Sequence, residues 1–139
     1  MMVEKIQCAV LMADDDPDDC FLAKEAFTES GTKADFSCVE DGEELLDCLF
    51  EHAHSGLYRL PKLILLDLNM PGKDGRLALR EIKADPALRE IPIVIFTTSE
   101  EEKDIVFAMK AGADLFITKP TNYDTWVETM KSLAMKWLE

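Results

Sequence analysis

The chain has 139 residues, of which 47% are hydrophobic and 31% charged, a composition typical of one globular domain and not of a disordered chain. Acidic residues outnumber basic residues by 28 to 15, and the net charge of −13 argues against nucleic-acid binding because phosphates would be repelled. Since no apolar stretch could span a membrane and the N-terminus lacks the pattern of a secretory signal, we expect a cytoplasmic protein without membrane association.

Short apolar runs alternate along the chain with longer amphipathic segments. Strands are predicted at residues 7–13, 35–39, 63–67, 93–97 and 115–118, and helices near residues 18–30, 42–51, 76–84, 101–111 and 123–137, with 52–60 as a loop. Five strand–helix repeats in this length predict a doubly wound α/β domain, with a parallel sheet covered by helices on both faces. We expect one domain over residues 1–139, with its functional crevice at the carboxyl ends of the strands.

Residues typical of helix starts and of apolar helix faces support three of the predicted helices. Asp16-Pro17 suits the start of the first helix, and Ser99 with Glu102 resembles a capping box before the fourth. In the fourth helix Ile105, Val106 and Met109 mark an apolar face. The corresponding face of the last helix consists of Trp126, Met130, Leu133 and Trp137.

The four cysteines show no zinc-ligand spacing and no Cys-x-x-Cys pair. We interpret them as reduced, small hydrophobic residues in a reducing compartment. Cys8 and Cys38 fall on strands predicted to be adjacent and could lie close together, but we expect no disulfide.

Aspartates form the most distinctive polar cluster. Asp14, Asp15 and Asp16 directly follow the first predicted strand, and Asp67 ends the third. If the strands are parallel, these carboxylates converge and repel one another unless a hard cation lies among them, which favours a Mg²⁺ site. The alternative is that each aspartate only caps a helix or forms a turn, a role that does not require convergence.

Two further polar residues end the fourth and fifth predicted strands, at the same edge. Lys119 could pair with Asp67 and later with a phosphoryl oxygen, and Thr97 offers a hydroxyl donor to the same group. Taken singly, each also has a purely structural interpretation, as a strand-favouring threonine and a surface lysine. The Lys119-Pro120 bond is predicted to be cis, because X–Pro bonds adopt that form most readily and a tight turn would place the lysine.

Together these residues resemble the receiver domain of response regulators. Asp14-Asp15, the segment 65–75 around Asp67 (Leu-Leu-Asp-Leu-Asn-Met-Pro-Gly-Lys-Asp-Gly), Thr97 and Lys119-Pro120 match that family in order and spacing over nearly the whole chain. The resemblance implies a flavodoxin-like fold with strand order 2-1-3-4-5. It also implies a two-component signalling protein, not an enzyme, that catalyses only its own phosphorylation and dephosphorylation.

The resemblance assigns roles to individual residues. Asp67 would accept the phosphoryl group from a sensor histidine kinase. Asp15, Asp67 and the backbone carbonyl of Asn69 would bind Mg²⁺, with Mn²⁺ as a substitute, and Asp14 would act through water. Thr97 and Lys119 would contact the phosphoryl oxygens, which suits a reaction that depends on positioning and charge neutralisation.

Signalling residues follow from the same resemblance. Phe116 would be the switch aromatic, although a half-buried phenylalanine of a strand is an equally good interpretation. Asn69 and Ser99 occupy the positions that tune the lifetime of the phosphoryl group. With no output domain expected after the fifth helix, signalling would pass by protein–protein contact through the fourth helix, fifth strand and fifth helix.

Residues 52–60 and the ending 135–139 are similar to small regulators that pair with phytochrome-type kinases and often form homodimers. Trp137 and Leu138 could pack on the protein's own surface or join two copies. Two other functions stay open at this point. One is an adaptor that signals without phosphate, and the other is an aspartyl-phosphate phosphatase, which Asn69 disfavours because it stands where that class needs an acid–base aspartate.

Overall fold

The computed structural model describes residues 6–7, 9–55, 58–70 and 74–138. Its elements are β1 (Ile6–Gln7), β2 (Val10–Ala13), α1 (Pro17–Glu29), β3 (Phe36–Val39), α2 (Gly42–Ser55), β4 (Tyr58–Arg59), β5 (Leu63–Leu66), α3 (Gly75–Ala84), β6 (Ile93–Thr97), α4 (Glu102–Lys110), β7 (Leu115–Thr118) and α5 (Tyr123–Trp137). Within this part of the chain, no helix has both the length and the apolar character needed to cross a membrane.

The central sheet has five parallel strands in the order β3-β2-β5-β6-β7. Counting these strands alone in chain order gives 2-1-3-4-5, so the predicted doubly wound fold is confirmed. Strands β2, β5 and β6 are buried along their whole length, as their continuous apolar runs predicted. The strand order reverses beside β2, which opens a crevice at the carboxyl ends of β2 and β5.

Alternate residues of each strand divide the core into two layers. Leu11 and Ala13 pack in the layer covered by α2, α3 and α4, whereas Val10 and Met12 pack in the layer covered by α1 and α5. Helix α1 begins as predicted, because the Asp16 carboxylate accepts hydrogen bonds from the backbone N–H groups of its first turn. The predicted buried face of α5 is also confirmed, and Trp137 and Leu138 pack half-buried against the second layer.

The first strand of the central sheet is shorter than predicted, and the predicted N-terminal half is wrong. β2 begins at Val10, and Ile6–Gln7 pairs instead with Tyr58–Arg59 in a separate parallel ladder. The predicted loop 52–60 is correspondingly shorter, since α2 continues to Ser55 and β4 follows. Gly56 and Leu57 lie outside the described residues. A ladder between segments so far apart in sequence leaves no local pattern that could have predicted it.

Helix α4 turns its apolar face outward, whereas the apolar face of a surface helix commonly meets the core. Ile105, Val106 and Met109 are 36%, 43% and 45% exposed, and the helix packs inward through Asp104 and Ala108. A buried carboxylate takes the place of an apolar residue because it has hydrogen-bond partners below the helix, described with the site. The three exposed side chains form an apolar surface, called here the α4 patch.

The prediction of reduced cysteines without a disulfide is also wrong. The structure joins Cys20 of α1 to Cys38 of β3 in a disulfide, with their Cα atoms 6.4 Å apart. The pair forms because α1 packs over β3, a contact between a helix and a strand that cysteine spacing alone cannot show. Cys48 lies half-buried on α2, and Cys8 is outside the described residues.

Trp126 of α5 packs against the sheet, and its contacts lead to a first prediction about stability. Its ring stands edge-on to Phe96 with centroids 5.1 Å apart, and its Nε1–H donates to the Pro120 carbonyl oxygen at 2.9 Å. Trp126→Phe keeps most of the apolar contact but removes the donor, so we expect a loss of about 1–2 kcal/mol in the free energy of unfolding. Urea denaturation followed by circular dichroism measures it.

The matched control is Tyr123→Phe, which removes a hydrogen bond to Glu29 on the exposed side of the same helix. Because water can replace that bond, we expect a smaller loss than for Trp126→Phe. Equal losses in the two variants would contradict a specific contribution from the buried donor.

Candidate functional site

Four strand ends supply the polar side chains of the site. Asp14 follows β2, Asp67 follows β5, Thr97 is the last residue of β6, and Lys119 follows β7. Neighbouring parallel strands run in register here, so the residues after them leave the sheet at one edge. The structure therefore brings together the four residues that the sequence singled out.

Asp67 is buried, and each of its carboxylate oxygens has its own donors. The Thr97 hydroxyl donates to Oδ1 at 2.8 Å, and the backbone N–H of Asn69 donates to the same oxygen at 3.1 Å. Lys119 Nζ donates to Oδ2 at 3.2 Å. The backbone N–H of Asp67 is held by the Ala13 carbonyl at 3.0 Å, which fixes the residue to β2. The carboxylate is thus oriented by donors from three different strand ends.

Lys119 is the cationic centre of the cluster. Its ammonium lies 2.6 Å from Asp14 Oδ2, 2.7 Å from Asp19 Oδ2 and 3.2 Å from Asp67 Oδ2, and its side chain is only 5% exposed. Burial alone would lower the pKa of Lys119, but the contacts with Asp14 and Asp19, together with the charge of Asp67, raise it above its usual value. The lysine therefore stays charged and neutralises part of the acidic cluster.

Asp14 is the most deeply buried carboxylate of the site, at 2% exposure. Its Oδ1 accepts from the Asp16 backbone N–H at 2.9 Å, whereas Oδ2 touches the Lys119 ammonium without an aligned hydrogen bond. Burial raises the pKa of Asp14, and the contacts with Lys119 and the Asp16 N–H offset this only in part. A buried carboxylate oxygen without an aligned hydrogen bond is suited to a cation.

The carboxylates are arranged to accept such a cation. Asp14, Asp15 and Asp67 can each offer one oxygen within 4.8 Å of the others, with Asp15 exposed at the mouth of the crevice. This acidic cluster, with the buried Asp14 oxygen in it, fits a hard divalent ion that prefers oxygen ligands. Asn69 follows Asp67 closely on an exposed loop, and the role of its carbonyl stays a prediction.

Gly75, at the start of α3, packs directly on the backbone of Asp67. A Cβ atom at this position would overlap the Asp67 carbonyl oxygen and lie 2.7 Å from Leu68 Cα. The Gly75 N–H also donates to the Leu68 carbonyl at 3.1 Å. Glycine is required here because any side chain would push α3 away from the residue at the centre of the site.

A partly buried ion pair between α3 and α4, which sequence analysis missed, lies beside the loop that joins β6 to α4. Arg76 of α3 donates to Asp104 Oδ1 at 2.8 Å, and the Ser99 hydroxyl donates to Asp104 Oδ2 at 2.6 Å. These hydrogen bonds, that of Ser99 first, hold the pKa of Asp104 below its usual range. The predicted capping box is therefore wrong, because Ser99 binds Asp104 while Glu101 starts the helix without a side-chain cap.

The predicted cis peptide before Pro120 is wrong as well. The described residues contain no cis bond, and the Lys119-Pro120 bond is trans. The Lys119 N–H donates to the Thr97 carbonyl at 2.7 Å, and the Pro120 carbonyl accepts from Trp126 Nε1, so hydrogen bonds anchor the chain on both sides of this bond. Since trans is favoured even before proline, these contacts suffice to place the lysine without the cis isomer.

Asp19 and Phe116 complete the site and its surroundings. Asp19 was missed because five of the six residues 14–19 are aspartates, and only the first turn of α1 decides which of them reaches Lys119. Its position in the first turn of α1, three residues after the N-cap Asp16, is the only local signal for it. Phe116 is half-buried on β7 and packs against the layer under α4, a position that agrees with both interpretations made from the sequence.

Comparison with known proteins agrees with this geometry. The family model of the response regulator receiver domain matches residues 10–131. The chain belongs to the response-regulator receiver family. Response regulator Rcp1 of Synechocystis sp. is 32% identical, over 94% of this chain and 88% of its own length. This receiver is therefore a response regulator of two-component signalling and not a conventional enzyme.

Two solved structures extend the comparison. The phosphorylated cyanobacterial phytochrome response regulator RcpA has 34% sequence identity and a TM-score of 0.85, with 97% of this chain and 95% of that chain covered. The Mn²⁺-bound form of Rcp1 has 32% identity and a TM-score of 0.81, with 94% of each chain covered. The receiver thus has relatives linked to phytochromes and a relative that binds a divalent ion.

The contact between Gly75 and Asp67 generates a second prediction. Gly75→Ala should lower the free energy of unfolding by about 1–3 kcal/mol through overpacking, and should weaken the binding of a divalent ion at the acidic cluster because the Asp67 backbone must move. Isothermal titration with Mg²⁺ and urea denaturation measure the two effects. The control is Gly31→Ala, which is strained by φ of +91° but has open space around it. A Gly31→Ala variant that lost Mg²⁺ binding equally would contradict the local explanation.

The buried charge of Asp14 generates a third prediction. Asp14→Asn keeps the oxygen that accepts from Asp16 but removes the charge, so without metal it should raise the free energy of unfolding at neutral pH, because the cost of burying this charge exceeds the attraction of Lys119. A carboxyl with a raised folded-state pKa costs stability when ionised, and this cost disappears as the pH falls through that pKa towards 3.8. The stability gain should therefore shrink over that range. Thermal melts from neutral to acidic pH check this, with exposed Asp18→Asn as the control.

Proposed function

We propose that Asp67 accepts a phosphoryl group from a phosphohistidine of a sensor histidine kinase, and that the modified receiver signals by contact with another protein. The observation that carries the proposal is the pair of donors on opposite oxygens of Asp67, from Thr97 at 2.8 Å and Lys119 at 3.2 Å. Thr97 and Lys119, which donate to the carboxylate of Asp67 in this structure, are placed to donate to phosphoryl oxygens once Asp67 is phosphorylated. This is the arrangement that phosphoryl transfer requires, since its catalysis rests on positioning and charge neutralisation.

The chemistry assigns one step to each residue. An oxygen of Asp67 attacks phosphorus, the bond between phosphorus and the histidine nitrogen breaks, and the nitrogen keeps the electron pair. The Lys119 ammonium then contacts the phosphoryl oxygens, which carry the negative charge. The Thr97 hydroxyl turns from Asp67 and donates to one of the phosphoryl oxygens. Asn69 and Ser99 tune how long the phosphoryl group survives. In the resting state, Ser99 is engaged by Asp104.

Mg²⁺ is the proposed cofactor, with Mn²⁺ as a substitute. Asp15, Asp67 and the Asn69 backbone carbonyl would hold it directly, and Asp14 would act through water. When bound, the ion would neutralise charge between the acceptor carboxylate and the incoming phosphoryl group. The acidic cluster of the crevice and the Mn²⁺-bound form of the relative Rcp1 support this assignment.

The proposed output passes through α4, β7 and α5. Movement of Thr97 would shift the following loop, and Phe116 would turn inward and change the surface that includes the α4 patch. The exposed apolar side chains of that patch suit a protein partner. We further propose that residues 1–139 act as a cytoplasmic receiver domain, that the kinase is of the phytochrome type, and that two copies can form a homodimer.

Phosphorylation provides the fourth prediction. Incubation with acetyl phosphate and Mg²⁺ should add one phosphoryl group, detected by intact-protein mass spectrometry, and Asp67→Asn should abolish the gain because the nucleophile is lost. Asp18→Asn, which removes an exposed carboxylate from the first turn of α1, should still be modified. If the Asp67→Asn variant gained the same mass, or if the unsubstituted protein gained none, the adaptor function without phosphate would be favoured.

Metal binding provides the fifth prediction. Because Mg²⁺ binds only the folded crevice, it should stabilise the protein, by about 2.7 kcal/mol when its concentration is a hundredfold above Kd. Thermal melts with chelator and with millimolar Mg²⁺ measure the shift. Asp15→Asn should greatly reduce it, whereas Asp18→Asn should retain it. An unchanged melting temperature in the unsubstituted protein would count against the metal site.

A further inference from the structure

The disulfide between Cys20 and Cys38 lies beside the site but belongs to none of its proposed chemistry. Cys20 is in the first turn of α1 and is nearly buried, whereas Cys38 is exposed on β3, an edge strand of the sheet. The bond therefore has one sulfur within reach of small molecules in solution. Exposed disulfides are the ones that exchange readily with thiols and oxidants.

The same helical turn holds a residue of the site. Asp19 precedes Cys20 directly, and its carboxylate lies 2.7 Å from Lys119 Nζ. The backbone N–H of Cys20 donates to the Asp16 carbonyl at 3.1 Å, which closes this first turn as one rigid unit. A bond from Cys20 to β3 therefore anchors the segment that places Asp19 against the lysine.

We propose that Cys20 and Cys38 form a reversible redox pair, and that the disulfide slows the acceptance of a phosphoryl group by holding Asp19 on Lys119. The inference rests on the proposed function of Asp67. To contact a phosphoryl oxygen, the Lys119 ammonium must give up part of its present carboxylate contacts. With the disulfide formed, the first turn of α1 cannot shift from β3, and Asp19 keeps competing for the lysine. With two thiols, the turn is free to move and release it.

The oxidant is a peroxide, and the chemistry balances. The exposed Cys38 thiolate attacks one peroxide oxygen, which gives a sulfenic acid and releases hydroxide or alkoxide. The Cys20 thiol then attacks the Cys38 sulfur, the S–S bond forms, and the sulfenic oxygen leaves as water. Two thiols have then lost two electrons and two protons to the peroxide. A small dithiol reverses the step by exchange through a mixed disulfide.

The test uses the full chain with Cys8→Ser and Cys48→Ser, so that only the proposed pair can react. One sample is oxidised with hydrogen peroxide and one reduced with dithiothreitol, and alkylation with intact mass confirms each state. Initial rates of phosphorylation by acetyl phosphate with Mg²⁺ are then compared. We expect the oxidised form to react about tenfold more slowly, the order of effect of one charge-assisted hydrogen bond, and to recover on reduction.

Two variants on this background locate the effect. Cys38→Ser, at an exposed position, should fold and keep the reduced rate after peroxide treatment, which also controls for methionine oxidation. Asp19→Asn should still form the disulfide but should show equal rates in both redox states, because the tethered turn no longer carries a charge that holds Lys119. A purely structural effect of the bond would persist in Asp19→Asn, and that result would overturn the proposed coupling.

The outcomes also separate this inference from the function on which it rests. Equal rates for the oxidised and reduced forms, or a faster oxidised form, would overturn the inference and leave phosphorylation of Asp67 intact. A reduced protein that accepts no phosphoryl group would overturn the proposed function and the inference with it.

Discussion

The contact of one lysine with three carboxylates is the interaction on which this edge of the sheet depends. Folding brings Asp14, Asp19 and Asp67 to the carboxyl ends of the strands, where their charges repel and burial strengthens the repulsion. The Lys119 ammonium lies within hydrogen-bond distance of all three and is itself nearly buried. A neutral residue in its place would leave buried carboxylates without a counter-charge, an expensive state in a folded protein.

Asp67 is held from two sides, by α3 and by the residue that ends β6. On one side, Gly75 lets α3 pack directly against the Asp67 backbone. On the other, Thr97 is followed by a loop that reaches Asp104 through Ser99. Asp104 in turn binds α3 through Arg76, so the start of α4 is coupled to the site by hydrogen bonds. A change at Asp67 therefore has a physical route to the exposed surface of α4.

The first turn of α1 combines several functions in a few residues. Asp16 caps the helix, Asp19 reaches the lysine, and Cys20 joins the turn to the edge strand. Because a helical turn moves as a unit, the covalent bond at Cys20 restrains the charge carried by the residue before it, Asp19. The acidic run at this point therefore has distinct roles for neighbouring aspartates, some at the helix terminus and others in the crevice.

The sequence by itself determined the alternation of strands and helices, the doubly wound class and the four residues that meet at the strand ends. These features rest on local hydrophobic periodicity and on motif spacing, which a linear chain displays directly. Tertiary structure alone decided the contacts between distant segments: the β1–β4 ladder, the outward face of α4, the Arg76–Asp104 pair, the reach of Asp19, the trans Lys119-Pro120 turn and the Cys20–Cys38 bond. Each of these depends on which partner the fold supplies, and that information is absent from any local window of the chain.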